Sequence, residues 1–207
     1  MNMRTFLYFS SKARTSGNFD DLMQAGRMDI VCNVIIHTFF LSHKMRDDTN
    51  LHLIFYGSPD PPKHLEMYPS RVVPGTGVEG GNGKLDISKK DISGLIKRML
   101  YKYRQGKKTE VWPGFFVEKR SFMDVVRGLI KEGKKVYILD KGGEDVRNMK
   151  TEDLDNAVFI LGDHEGLPEK ELRRLKKEVG LISVGNKMYF ASQCVVLINN
   201  ELDRREI

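Results

Sequence analysis

Three stretches of this chain pass from an apolar run into a small or polar turn. They are VYILD, ending at Leu139 and Asp140; FILGD, ending at Gly162 and Asp163; and LISVGNKM, with Ser183, Val184, Gly185, Asn186, Lys187 and Met188. In open α/β sheets, ligands bind in the crevice beyond the carboxyl ends of the strands. A glycine at such an end lets backbone amides approach a ligand closely. Ordinary strand termination leaves the same trace. A second signal is cationic: residues 97–108 carry Lys97, Arg98, Lys102, Arg104, Lys107 and Lys108, with Tyr101 and Tyr103 and no acidic residue. That composition suits phosphate binding, and it equally suits a solvated helix face. Cys194 could be a nucleophile, although a buried thiol more commonly behaves as a small hydrophobe.

Other motifs fail on context. Gly75, Gly77 and Gly80 satisfy G-x-G-x-x-G, but Pro74 precedes them and a further glycine-rich stretch follows where a helix should start. Gly83-Lys84 lacks the first glycine of a P-loop, since Val78 holds that place. Ser183 sits in G-x-x-S-x-G, one residue too long for a nucleophile elbow. Asp163-His164-Glu165 suggests metal ligation, but no second His or Cys stands at helical spacing from His164. No metal is expected.

The elements that must position these residues follow from periodicity. Ile92, Leu95, Ile96, Met99, Leu100 and Tyr103 form one apolar stripe after Ser88, and Ser88 with Asp91 reads as a capping box. Ser121 and Asp124 repeat it before Phe122, Val125, Val126, Leu129 and Ile130. Further helices are expected over 30–45, where β-branched residues leave strand as an alternative, from Pro168 to about 179, and over 191–204. Strands are expected at 4–10, 51–56, 115–118, 136–139, 158–161 and 181–184. The alternation predicts an α/β fold with a largely parallel sheet flanked by helices. A single domain over residues 1–207 is expected, with a Gly/Pro-rich excursion at 59–84.

Composition agrees with a globular chain. Of 207 residues, 40% are hydrophobic and 30% charged, and 34 Lys+Arg against 28 Asp+Glu give a net charge of +6. That excludes a disordered class and favours an anionic partner without naming one. Cys32 and Cys194 make no disulfide framework. The longest apolar stretch, residues 30–41, is interrupted by Asn33 and His37 and is too short for a bilayer span. No signal-peptide pattern is apparent, so a cytoplasmic protein with no membrane partner is expected.

Several segments together resemble a known family. FILGDHEGLPEKE and ISVGNKMYFASQCVVLINNELDR, with GRMDIVCNVIIHTFFLSHKMRDD, LIFYGSPDPP and KKVYILDKGGEDV, resemble the archaeal tRNA (pseudouridine-54 N1) methyltransferases of the SPOUT superfamily. The resemblance implies a SPOUT-type fold with a C-terminal trefoil knot, S-adenosyl-L-methionine as cofactor, a homodimer, and tRNA as substrate. It places cofactor contacts at Leu139, Gly162, Ser183, Val184, Gly185, Asn186, Lys187, Met188 and Cys194. A bulky residue at Gly162 is then expected to block the cofactor without unfolding the chain. For proton removal from N1 of the base the candidates are Asp29, His43, Asp163 and Asp203, with Asp29 and Asp163 preferred; Asp163 could equally cap the following helix. Arg27 and Arg46 are expected to hold phosphate or the base, or else to pair with Asp29, Asp47 or Asp48; Lys97, Arg98, Lys102 and Arg104 extend the RNA surface. One departure stands out: the family pattern S-P-L-x-L-H-A-N-H-C has two histidines, where this chain has Phe190 and Gln193. A methyltransferase acting on another RNA position and a non-catalytic RNA-binding module are the alternatives.

Overall fold

The computed structural model describes residues 3–42, 44–69 and 88–207. The glycine motif at Gly75, Gly77 and Gly80, the Gly83-Lys84 pair and His43 lie outside the described residues.

The central strands are built on apolar stretches, Phe6–Phe9 in the first and Leu51, Leu53, Ile54 and Phe55 in the second. β1 (Arg4–Ser10) and β2 (Thr49–Phe55) are buried along their whole length, as strands covered on both faces must be. They pair in parallel, Arg4 opposite Thr49 through Ser10 opposite Phe55. β7 (Val158–Leu161) lies parallel to β1 on its other edge, then β6 (Val136–Asp145), then β8 (Gly180–Ser183). Beyond β2, the strands β3 (Lys63–Met67), β5 (Phe115–Glu118) and β4 (Thr109–Trp112) pair antiparallel. The sheet has eight strands in the order β4-β5-β3-β2-β1-β7-β6-β8. The expected parallel sheet is therefore present, lengthened by an antiparallel edge that periodicity did not announce. β3 was hidden because Lys63, His64 and Glu66 break the apolar pattern, although all three are buried; part of the expected excursion is thus a sheet strand.

Helices cover both faces. α1 (Met28–Phe39), α2 (Lys89–Tyr101) and α6 (Ala191–Arg204) pack one apolar layer with Phe6, Tyr8, Leu51 and Leu53. α3 (Phe122–Lys131) and α5 (Glu169–Leu175) pack the other with Leu7, Phe9 and Ile160. The short α4 (Thr151–Leu154) precedes β7. Ser88 and Ser121 accept the amides of Asp91 and Asp124, both at 3.2 Å, which fixes the starts of α2 and α3 as expected. The first helix stops at Phe39 rather than 45, because Phe40 is extended (φ −98°, ψ 132°) and Arg46 N–H returns to Phe39 O at 2.7 Å. α5 ends four residues short of Val179, whose amide closes on Leu175 O at 2.9 Å.

The β6–β8 edge is irregular. β6 leaves β8 after Leu139 and meets it again at Glu144, so Ile182 is the register partner of both. The return needs Gly143, where a Cβ would stand 2.5 Å from the Ile182 nitrogen.

Candidate functional site

The carboxyl ends of β6, β7 and β8 open on a cavity of about 530 Å³, within the range of small-molecule sites. Leu139, Gly162, Ser183, Val184, Gly185, Lys187, Met188 and Cys194 all line it. Asn186, expected among them, is not in the lining. Ile30 of α1, Leu167, and Leu172 of α5 complete apolar walls that sequence reading missed, together with His164 and Tyr189. Only tertiary packing brings those side chains to the strand ends. Phe190 and Ala191 bring the start of α6 to the same cavity.

Glycine and serine shape the floor. A Cβ on Gly162 would stand 2.6 Å from the Gly166 carbonyl carbon and 2.9 Å from its Cα. The turn between them is closed by Gly166 N–H to Asp163 O at 2.9 Å. A bulky residue at 162 must therefore break this turn as well as fill the cavity, which corrects the expectation that the fold would be spared. Ser183 Oγ accepts the Gly185 amide at 3.1 Å and donates to Gly185 O at 3.0 Å. That local turn holds Gly185 at φ 126°, a region that side chains disfavour. Gln193 accepts the Phe190 amide at 2.9 Å through its side-chain oxygen and so caps α6. Burial pushes the Cys194 thiol up to about 11, so it is a neutral wall rather than a nucleophile.

The acidic candidates separate. Asp163 lines the cavity, but its Oδ2 accepts from Ser10 Oγ (3.2 Å), Ser11 N–H (2.8 Å) and Ser11 Oγ (2.9 Å), while Oδ1 accepts from Glu165 N–H (2.9 Å). Its lone pairs tie the end of β1 to the end of β7. It does not cap α5, whose N-cap is Pro168. Asp29, in the first turn of α1, is held by Arg27 through two bonds of 3.0 and 3.1 Å, which keep its carboxyl below the usual range. Tyr8 stands near both acids; burial, then the charges of Asp163 and Asp29, push its phenol far up. Asp203 lies at the opposite end of β1, about 20 Å from Ser10 at strand rise, where Arg4 reaches its Oδ1 at 2.6 Å. Burial works to raise Asp203, but hydrogen bonds from Arg46 and Arg4 outweigh it and hold the carboxyl below its ordinary value.

Arg46 takes the second of its two expected roles, pairing with acids and not with RNA, and its Nη1 lies 4.0 Å from Asp48. It is 8% exposed and clamped on Asp203, with Nη1 at 2.8 Å from Oδ1, so it is unavailable to RNA. The segment 97–108 is also less free than its composition implied: Lys97 pairs with Asp20 at 3.1 Å and Lys108 with Glu66 at 2.6 Å. Arg98 lies 5.4 Å from the Trp112 ring centroid, a cation–π arrangement. Lys102 and Arg104 are exposed and carry no ion pair among the described residues. Residues 11–27 connect this segment to the cavity. Ser11 is bonded to Asp163 at one end, and at the other a Cβ on Gly17 would stand 2.5 Å from Lys97 O and 2.7 Å from the Tyr101 ring.

Among the described residues, metal-ligating atoms converge once, at His52, His64 and Glu66, within 4.8 Å of one another. This group lies on β2 and β3, away from the cavity, and is already hydrogen-bonded. Glu118 Oε1 is 3.0 Å from His64 Nδ1 and must accept its proton. That leaves His64 Nε2 to accept from His52 Nδ1–H at 2.9 Å, and Lys108 takes Glu66.

The fold and the cavity define an α/β protein with a cofactor-sized, mostly apolar site at the carboxyl ends of three parallel strands. The family described as "Putative SAM-dependent RNA methyltransferase" matches residues 3–207. The chain belongs to that family. It is 36% identical over 207 residues to the tRNA (pseudouridine(54)-N(1))-methyltransferase of Methanococcoides burtonii, covering 98% of this chain and 96% of that one. To the protein of the same name from Methanocaldococcus jannaschii it is 32% identical over 215 residues, covering 99% and 98%. Among solved structures, Archaeoglobus fulgidus Nep1 bound to S-adenosylhomocysteine superposes with a TM-score of 0.64 at 15% identity, covering 100% of this chain and 99% of that one. That likeness extends the agreement to the fold.

Proposed function

We propose that this protein transfers a methyl group from S-adenosyl-L-methionine to N1 of pseudouridine at position 54 of tRNA. The observation that carries the reading is the cavity itself, walled by the residues that the family resemblance marks as cofactor contacts. Full-length relatives that carry this activity in their names support the choice of substrate. The cofactor supplies, when bound, an electrophilic methyl on a sulfonium sulfur. Leu139, Leu161, Ile182, Val184 and Cys194 offer an apolar wall suited to a positive charge that disperses during transfer, and none of them competes as a nucleophile. Gly162 and Gly185 expose backbone groups that orient a ligand without a side chain between. Holding the reactants in line is worth roughly 7–11 kcal/mol in well-oriented cases. N1 must also lose its proton. Asp163 is held by donors at the cavity rim and Asp29 by Arg27 outside the lining, which favours a proton that leaves to solvent or to a group of the bound RNA.

Fold, assembly and partners are part of the same reading. The chain folds as one SPOUT domain over residues 1–207. The double pairing of Ile182, with Leu139 and with Glu144, is the irregular β6–β8 crossing that supports a C-terminal trefoil knot. Met188 and Phe190 at the cavity mouth, 84% and 72% exposed, and Val196 and Leu197 on α6 are exposed apolar residues that suit contact with a second copy of the chain. Arg27, Arg98, Lys102 and Arg104 face tRNA. No described helix is long and apolar enough to cross a membrane; the substrate and the free cysteines favour a cytoplasmic enzyme, and no step calls for a metal.

The test is incubation of the purified protein with isotopically labelled cofactor and tRNA carrying pseudouridine at position 54, followed by nucleoside mass spectrometry. Labelled 1-methylpseudouridine, absent when position 54 is uridine, is expected. Label in another nucleoside would move the substrate position. Binding of S-adenosylhomocysteine with no transfer to any tRNA would overturn the enzymatic reading.

A further inference from the structure

Lys12 and Arg27, the other cations of residues 11–27, and Lys97, which lies over the Phe19 ring, each face a carboxylate: Glu165, Asp29 and Asp20. Arg14 does not. Its Nε is buried without a hydrogen-bond partner, and its guanidinium makes no ion pair among the described residues. A buried N–H left unpaired is costly, and native proteins rarely carry one without a use.

The backbone around Arg14 is fixed on both sides. Arg14 N–H donates to Ala25 O at 3.1 Å. Thr15 N–H donates to Ser58 O at 2.9 Å, its hydroxyl donates to Gly57 O at 3.0 Å, and that hydroxyl accepts the Asp60 amide at 2.9 Å. Ala13 and Thr15 are buried, at 0% and 3% exposure, so Arg14 is the residue of the three that reaches toward solvent. A rigid mount for an unpaired, partly desolvated guanidinium is what binding an anion requires, because little order remains to be imposed.

The position names the anion. Three residues before Arg14, Ser11 is bonded to Asp163 at the cavity rim; three residues after it, Gly17 packs beneath Tyr101 and Lys97 of α2. Arg14 thus stands on the surface between the methyl-transfer cavity and the exposed cations Lys102 and Arg104, about 10 Å along the chain from Ser11. We propose that Arg14 binds a backbone phosphate of the RNA next to the target nucleotide and so sets the register of that nucleotide over the cavity. A planar fork suits phosphate oxygens, and the missing carboxylate leaves it free to meet them. The proposal rests on RNA being the substrate.

Arg14→Ala and Arg14→Lys test it, with tRNA affinity, KM for tRNA, S-adenosylhomocysteine affinity by calorimetry and thermal midpoint all measured. Arg14→Ala is expected to weaken tRNA binding roughly 10- to 100-fold and to lower the salt slope of binding by about one. S-adenosylhomocysteine affinity should stay at its wild-type value, and the thermal midpoint should not fall. Arg14→Lys should restore the salt slope but not the full affinity. Phenylglyoxal labelling of the wild-type protein gives a reading that does not depend on variants: tRNA should protect Arg14 and S-adenosylhomocysteine should not. Unchanged tRNA affinity and slope in Arg14→Ala, or no protection by tRNA, overturns the assignment. Wild-type protein that binds tRNA with this Arg14 dependence yet transfers no methyl would refute the activity and spare the phosphate site.

Discussion

Ser11 donates both its backbone N–H and its hydroxyl to one oxygen of Asp163, at 2.8 and 2.9 Å, joining the end of β1 to the rim of the cavity. A carboxylate so occupied is a tie. Asp163→Asn keeps the shape but sets an amide nitrogen against one of these donors, which should cost about 1–3 kcal/mol of stability. With S-adenosylhomocysteine affinity within a few-fold of wild type, kcat should fall by less than about tenfold. A general base would lose 10²–10⁴. Urea unfolding and a pH–rate profile decide between the two: a drop of that size, with loss of an acid limb, would restore Asp163 as the base.

Cys194 is a wall residue with its thiol raised to about 11 by burial. At pH 8 almost none of it is thiolate, so alkylation by iodoacetamide should be slow, and slower still with S-adenosylhomocysteine bound. Cys194→Ala should weaken cofactor binding by a few-fold through lost packing and leave kcat within about threefold. Loss of all activity with cofactor binding intact would make the thiol part of the chemistry.

What the chain declares in its sequence is what depends on neighbouring residues. The ends of β6, β7 and β8 could be read because each apolar run stops at a glycine, serine or aspartate, and those three ends do meet around one cavity. The starts of α2 and α3 were legible for the same reason, a serine three residues from an aspartate. The main partner of Arg46 was missed because that acid, Asp203, lies 157 residues away. Lys97 and Lys108 looked uncompensated because Asp20 and Glu66 reach them only across the fold. β3 was missed because buried His64 is satisfied by His52 and Glu118 and buried Glu66 by Lys108, so a polar segment became an interior strand. Arg14 was invisible for the opposite reason: what marks it is a partner that is absent.

The apolar face formed by Met188, Phe190, Val196 and Leu197 should be covered by a second copy. Val196 and Leu197 are 44% and 37% exposed on α6 and do not line the cavity. Replacing both with Asp should halve the mass measured by light scattering after size exclusion while preserving the circular dichroism spectrum. Two charges buried in an apolar interface cannot be repaid. An unchanged mass would mean that this face is not where copies meet, and a monomeric wild type would remove the interface altogether.

His52 should make stability fall in mild acid. Burial first, then the neighbouring His64 and Lys108, hold its pKa well below the ordinary 6.5. Above that value both folded and unfolded chains leave it neutral, and its contribution is fully present. As the pH drops through about 6.5 the unfolded chain takes up a proton that the folded chain refuses. The unfolding free energy then declines by up to about 1.4 kcal/mol per pH unit for this one site. Urea midpoints measured between about pH 7.5 and 5.5 should show that decline in the wild type and a shallower one in His52→Gln, which keeps a donor for His64 Nε2 but cannot titrate. Glu118, held below its usual range by His64, acts only at lower pH and does not blur this window. Equal slopes in the two proteins would show that folding does not hinder the protonation of His52, and would overturn the assignment of the acid loss to this site.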